Sequence, residues 1–343
     1  MQYTDCKFAN PIGIGAKLPL MKLIVTGGSG FIGANLIAEL ADLGGYEVLN
    51  VDIAQPSFGP SFGRYFQCDL LDQEKLNRCF EEFTPTFVVH LAGRTDMFGV
   101  NVEDYASNYI GTQNIIKAIQ RTTSVRRVIF TSSQYVVGPG PLPENDQDYR
   151  PHTIYGESKV LSEQVVHGSE LPCSWTIIRP TNIWGRWHPR YPNEFWRVLK
   201  RGLYMHPGGA PVRRCYGYVG NIIDQILRIL ILEGNDLDGK TLYVGDPPID
   251  IYDWTNAFSL ELTGKSVRVV PRGALAALAK LGDAIKICYK SPPISSSRFR
   301  SMTEDYVTPM GPTFEALGPP KYSIHEGVKK TVNWLRSEDD YWL

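Results

Sequence analysis

One stretch constrains this chain more than any other: Thr26-Gly27-Gly28-Ser29-Gly30-Phe31-Ile32-Gly33. The apolar run Lys22–Thr26 enters it as a buried strand, and Phe31–Leu43 leaves it with helical periodicity. Turning from strand to helix in so few residues requires glycine. Gly27 allows the sharp turn, Gly30 lets backbone amides approach a ligand, and Gly33 lets the helix pack on the strand. The helix N-terminus then presents unpaired N–H groups and the positive end of its dipole, which suits a pyrophosphate. Ser29, Phe31 and Ile32 complete the candidate cofactor contacts of this turn.

From Met21 onward, short apolar runs alternate with helical stretches. Glu47–Val51, Phe87–Leu91, Arg127–Thr131 and Ser174–Ile178 read as strands, and Gln73–Phe83, Tyr105–Gln120 and Ile154–Gly168 as helices. Strands alternating with helices of about ten to fifteen residues imply βαβ units and a parallel sheet. The expected fold class is therefore α/β, a Rossmann-type doubly wound sheet. Residues 21–182 form the nucleotide-binding domain in this reading, with Thr241–Val244 a late strand returning to the sheet. Beyond Pro180 the pattern loosens. Asn221–Leu232 is an amphipathic helix, Pro271–Ala284 is helical, and Pro292–Pro320 reads as largely irregular. Residues 183–343 are read as a smaller, mixed C-terminal lobe that binds substrate. Residues 1–20 are interrupted by proline, glycine and charge, so they fit no signal peptide. They read as an expression remnant, an upstream start or a disordered extension.

Asp52 ends the second strand nineteen residues past Gly33. A carboxylate there accepts hydrogen bonds from the adenosine ribose and repels a 2′-phosphate, and no arginine adjoins it, so the expected cofactor is NAD and not NADP. Asp69 and Leu70 are candidate adenine contacts.

Tyr155-Gly156-Glu157-Ser158-Lys159 places a phenol and an ammonium on one face of a helix. A phenol with a pKa of about 10 is a poor base at neutral pH. A neighbouring ammonium and an oxidised nicotinamide favour its phenolate. Thr131-Ser132-Ser133 ends a strand twenty-two residues before Tyr155, where ligands of such sheets bind. A Ser133 hydroxyl there can hydrogen-bond the reacting oxygen and share its proton with Tyr155.

With these motifs the chain resembles the extended short-chain dehydrogenases/reductases, the NAD-dependent group of nucleotide-sugar epimerases and dehydratases that includes UDP-galactose 4-epimerase. The similarity also runs through His90-Leu91-Ala92-Gly93, Asn108, Gly111-Thr112, Arg179-Pro180-Thr181-Asn182-Ile183-Trp184-Gly185, Tyr218-Val219 and Glu326-Gly327-Val328 to Trp334. The resemblance implies catalytic roles for Ser133, Tyr155 and Lys159, with Lys159 also holding the nicotinamide ribose. It implies cofactor contacts at Leu91, Ala92, Gly93, Asn108 and Thr131. It implies substrate contacts at Asn182, Asn193, Arg94 and Arg214, the last as a diphosphate-binding arginine, and a homodimer through the helices at Tyr105–Gln120 and Ile154–Gly168. The family's 4,6-dehydratases carry acidic residues just after the catalytic hydroxyl. Gln134 and Tyr135 stand there instead, which disfavours dehydration and the related decarboxylations. Val137 replaces the usual tyrosine before Gly138, a change with no functional account. His188 is a candidate acid or substrate contact.

The expected activity is oxidation and reduction of a sugar hydroxyl on a nucleotide sugar, as a 4-epimerase or sugar dehydrogenase/reductase. The alternatives are a dehydrogenase of a steroid- or flavonoid-like alcohol and a non-catalytic NAD-binding protein. Thirty-five basic against thirty-six acidic residues leave a charge of −1, no electrostatic reason to expect nucleic acid or an anionic membrane. Six scattered cysteines show no metal-ligand spacing, and reduced thiols in the cytoplasm are expected.

Overall fold

The structure, a computed structural model, describes residues 20–59, 62–285 and 294–338. The expectation for residues 1–20 falls outside these, apart from Leu20. The first half runs β1 (Met21–Thr26), α1 (Phe31–Leu43), β2 (Tyr46–Asp52), β3 (Arg64–Gln67), α2 (Gln73–Phe83), β4 (Phe87–His90), α3 (Ala106–Gln120), β5 (Arg127–Thr131), α4 (Ile154–His167) and β6 (Ser174–Pro180). The second half runs β7 (Asn182–Trp184), α5 (Arg197–Lys200), β8 (Met205–Pro207), β9 (Arg213–Arg214), β10 (Tyr216–Tyr218), α6 (Val219–Ile231) and β11 (Lys240–Val244). It continues through β12 (Ile249–Asp250), α7 (Ile251–Thr263), β13 (Arg268–Val270), α8 (Arg272–Ile285), α9 (Ser296–Ser301), α10 (Gly311–Leu317) and α11 (Ile324–Ser337).

Seven parallel strands form one sheet in the order β11-β6-β5-β4-β1-β2-β3. The α/β doubly wound fold is thus present, and the order in which the chain adds strands reverses between β1 and β4. Alternation along β1 shows why its centre, Leu23–Val25, is apolar. Leu23 and Val25 join one core with Leu36 of α1 and Ile222 of α6, while Ile24 joins the other with Phe80, Ile115 and Val166. A strand buried on both faces favours apolar side chains on each of them, and its one buried polar residue, Thr26, is hydrogen-bonded to His90.

Three small two-stranded sheets, β7/β10, β9/β12 and β8/β13, build the C-terminal lobe. Of the expected irregular stretch 292–320, residues 292 and 293 lie outside the described residues, and residues 294–320 are less irregular than expected. Ser295 caps α9 by accepting from the Arg298 amide, and Pro312 starts α10. Such short helices leave almost no periodicity to read. α7, capped by Asp250 accepting from the Tyr252 amide, is a further helix that the loosened pattern conceals.

Candidate active site

The turn after β1 is shaped as a cradle. Gly27 has φ +71°, and a Cβ there would lie 2.6 Å from the Ala92 amide nitrogen. A Cβ at Gly33 would strike the Gly27 carbonyl oxygen. No side chain caps α1 at Gly30, and no acid sits in its first turn, so the amides of Phe31 and Ile32 lack a side-chain partner. Asp52 braces the turn: its carboxylate accepts from the Ser29 amide at 3.0 Å and the Ala54 amide at 3.0 Å. Asp69 is exposed and accepts from the Leu71 amide. Leu70 is buried against Gly111, with its carbonyl held by Asn114.

Across the switch point, the amides of Leu91 and Ala92 donate to the Thr26 carbonyl and hydroxyl. Asn108 is buried and clamps the next residues, accepting from the Arg94 amide at 2.7 Å and donating to the Arg94 carbonyl and the Ser158 hydroxyl. His90 lies between the hydroxyls of Thr26 (2.7 Å) and Thr112 (3.1 Å), and burial holds it far below the usual range, to about 3. A neutral imidazole therefore links β1, β4 and α3.

Thr153 starts α4 by accepting from the Gly156 amide at 3.0 Å. Tyr155 and Lys159 follow on one face, both buried. The Ser133 hydroxyl, which accepts from the Tyr135 amide at 3.2 Å, lies beside the Tyr155 phenol and favours its ionised form. Burial pushes the phenol up to about 12, and the Ser133 hydroxyl opposes it. Lys159 donates to the Thr131 carbonyl at 2.8 Å. Burial lowers its ammonium to about 8, with Glu163 acting the other way. The Thr131 and Ser132 hydroxyls beside this triad are buried without a partner. An uncapped helix end, a cradle closed to side chains and unpartnered hydroxyls at the strand end together fit a dinucleotide.

On the substrate side, Asn182 donates to the Tyr191 hydroxyl at 2.9 Å. Arg214 stands over the Tyr306 ring, donates to the Glu304 carbonyl, and keeps its Nε buried without a partner. Arg94 is engaged within its own loop, gripping Asp96 at 2.8 Å and 3.1 Å and the Asp104 carbonyl. Asn193 is exposed on a wide helical turn, apart from these groups' hydrogen bonds. His188 is a structural group here. Its Nδ1 accepts from the Arg190 and Tyr191 amides, its ring stacks on Tyr191 at 3.9 Å, and burial keeps it neutral. Sequence reasoning assigns no role to Tyr306. It donates to the carbonyls of Gln134 and Val137 across at least 169 residues, and its ring meets Tyr135, which in turn meets Tyr155. No local pattern could signal that contact.

The model of the NAD dependent epimerase/dehydratase family matches residues 23–245. The chain belongs to that family. NAD is its cofactor, as the cradle and Asp52 already suggest. Among relatives of this family member is the N-acetyl-alpha-D-glucosaminyl-diphospho-ditrans,octacis-undecaprenol 4-epimerase of Escherichia coli O157:H7, 30% identical over 213 residues, 60% of this chain and 61% of that protein. The 3-beta-hydroxysteroid dehydrogenase of Mycolicibacterium neoaurum is 28% identical over 289 residues, 78% of this chain and 77% of its own. The solved UDP-glucose 4-epimerase of Thermus thermophilus with NAD superposes with a TM-score of 0.68 at 26% identity, covering 92% of this chain and 99% of that one. No helix among the described residues is long and apolar enough to cross a membrane.

Proposed function

We propose that this family member oxidises and reduces a secondary hydroxyl on the sugar of a nucleotide sugar, as a 4-epimerase or a sugar dehydrogenase/reductase. The observation that carries the reading is the gathering of three buried groups past the end of β5, Ser133, Tyr155 and Lys159, with Lys159 donating to the Thr131 carbonyl from the helical face it shares with Tyr155. NAD, when bound, supplies a hydride acceptor and donor. The turn at Gly27–Gly33 would hold its pyrophosphate, Asp52 its adenosine ribose, and Lys159 its nicotinamide ribose. The chain's own residues move the proton. Tyr155 Oη takes it from the substrate hydroxyl, Ser133 Oγ orients that oxygen, and the Lys159 ammonium favours the phenolate. Arg214, with an unpartnered buried Nε, suits a diphosphate oxygen. A sugar on a diphosphate is also what the Escherichia coli relative's name describes.

A second reading, a dehydrogenase of a steroid-like ring alcohol, is favoured by the reach of the steroid dehydrogenase match, 78% of the chain against 60% for the epimerase. Tyr135, Tyr216 and Tyr306 around the site suit a flat apolar ring. The deciding experiment incubates the purified protein and NAD with UDP-, GDP-, dTDP- and CDP-sugars and with a 3-hydroxysteroid, following NADH by absorbance and products by NMR. A new sugar epimer or keto-sugar, absent with Tyr155→Phe, supports the first reading. Turnover of the steroid alone transfers the assignment to the second, and turnover of neither class sinks both.

A further inference from the structure

Helix α8 carries two apolar faces, and among the described residues only one of them is packed. Leu275, Ala279 and Gly282 point inward and are buried. Ala274, Ala277, Leu278, Leu281, Ala284 and Ile285 recur at helical spacing on another face, and all are exposed, with Leu278 at 43%, Leu281 at 57% and Ile285 at 46%. The helix packs on β8, whose pair β13 adds a further exposed side chain, Val269. A contiguous apolar stripe of this kind on a globular surface marks a contact.

Charge says what kind of contact. Residues 265–300 contain eight lysines and arginines and one acid, Asp283, in a chain whose total is −1. Lys265, Arg268 and Lys280 are exposed around the stripe, whereas Asp283 accepts from the Ser296 amide and lies partly covered. A second copy of this face would set two strongly basic segments against each other. An anionic bilayer accepts both features at once, the stripe among its acyl chains and the cations at its headgroups.

We propose that the α8 face docks this protein on an anionic membrane surface. The helix lies in the interface plane and does not span. The segment that follows leads through α9 to Tyr306, which meets Tyr135 beside Tyr155, so the docked face belongs to the stretch of chain that walls the site. This placement does not depend on which alcohol is the substrate.

The test is co-sedimentation of the full-length protein with vesicles of phosphatidylcholine alone and of phosphatidylcholine mixed with phosphatidylglycerol. Binding is expected to the anionic vesicles only and is weakened by high salt. The double variant Leu278→Glu/Leu281→Glu is expected to lower the affinity about tenfold or more, with NAD binding unchanged. Leu281→Gln, at the most exposed of these positions, serves as the milder second variant should the double variant lose NAD binding. Wild-type protein that ignores anionic vesicles overturns the proposal, as do variants that bind them equally well. A wild-type dimer in sedimentation velocity that Leu281→Gln dissociates also overturns it, because the face is then a contact between copies.

Discussion

Tyr155 illustrates how a residue's neighbours set its chemistry. Burial drives its phenol up to about 12, away from use as a base, and the Ser133 hydroxyl is the group that pulls it back. Ser133→Ala removes a group that favours the phenolate, so the pKa rises further and the base ionises only at higher pH. The acidic limb of the pH–rate profile for alcohol oxidation is therefore expected to shift to higher pH, and an unmoved limb would take Ser133 out of this role. Tyr155→Phe removes the proton acceptor itself. A loss in kcat on the order of 10²–10⁴ is expected, with NAD affinity, read by fluorescence titration, nearly unchanged. The residues of this pair were legible because Tyr155 and Lys159 are four apart on one helix. Their partner contacts were less so, since Arg94 turns to Asp96 and Asp104 and His188 turns inward to backbone amides.

Helix α4 positions this chemistry through its ends and its buried face. One turn beyond Lys159, Glu163 meets Arg179 of β6 with both side chains almost fully buried, at 1% and 0% exposure. The guanidinium holds both carboxylate oxygens, at 2.8 Å and 2.7 Å, and Tyr149 donates to the same carboxylate. Arg179→Leu leaves an uncompensated buried carboxylate, for which about 3–5 kcal/mol of destabilisation is expected by urea denaturation. A loss below about 1 kcal/mol would show that the pair is solvated in solution. Thr153→Ala removes the cap of α4 and is expected to cost about 1 kcal/mol in the same assay. Helix α2 matched its sequence signal because its apolar period and the Asp72 cap agree, whereas α1 and β5 were legible from their apolar runs alone. The short edge strand β3, Arg64-Tyr65-Phe66-Gln67, did not announce itself, since an edge strand with one covered face needs no apolar run.

At the scale of the molecule, NAD links the folded state to its ligand. A cofactor that binds only the native chain stabilises it by about 2.7 kcal/mol at a hundredfold excess over Kd. Thermal denaturation with added NAD is expected to show a Tm higher by several degrees, and Asp52→Ala, which loses the brace on Ser29 and the proposed ribose acceptor, a smaller rise at equal NAD. An unchanged Tm at saturating NAD would contradict the cradle at Gly27–Gly33. Total charge conceals distribution at this scale. A sum of −1 gives no reason to expect an anionic surface as partner, yet it averages a basic segment at residues 265–300 against an acidic remainder.

The alternation of strands and helices, the glycine turn, Asp52 and the candidate set of Ser133, Tyr155 and Lys159 can all be read from the amino-acid order alone. These are local matters, written in short periods and fixed spacings that backbone geometry enforces. Which apolar face of α8 is packed, that Tyr306 reaches the carbonyls of Gln134 and Val137, and that His90 joins Thr26 to Thr112 all depend on how distant segments meet. Leu275 and Leu278 are the same residue type three positions apart. One is buried and the other exposed because of what the rest of the chain brings to each side, and that depends on long-range packing, which no local pattern encodes.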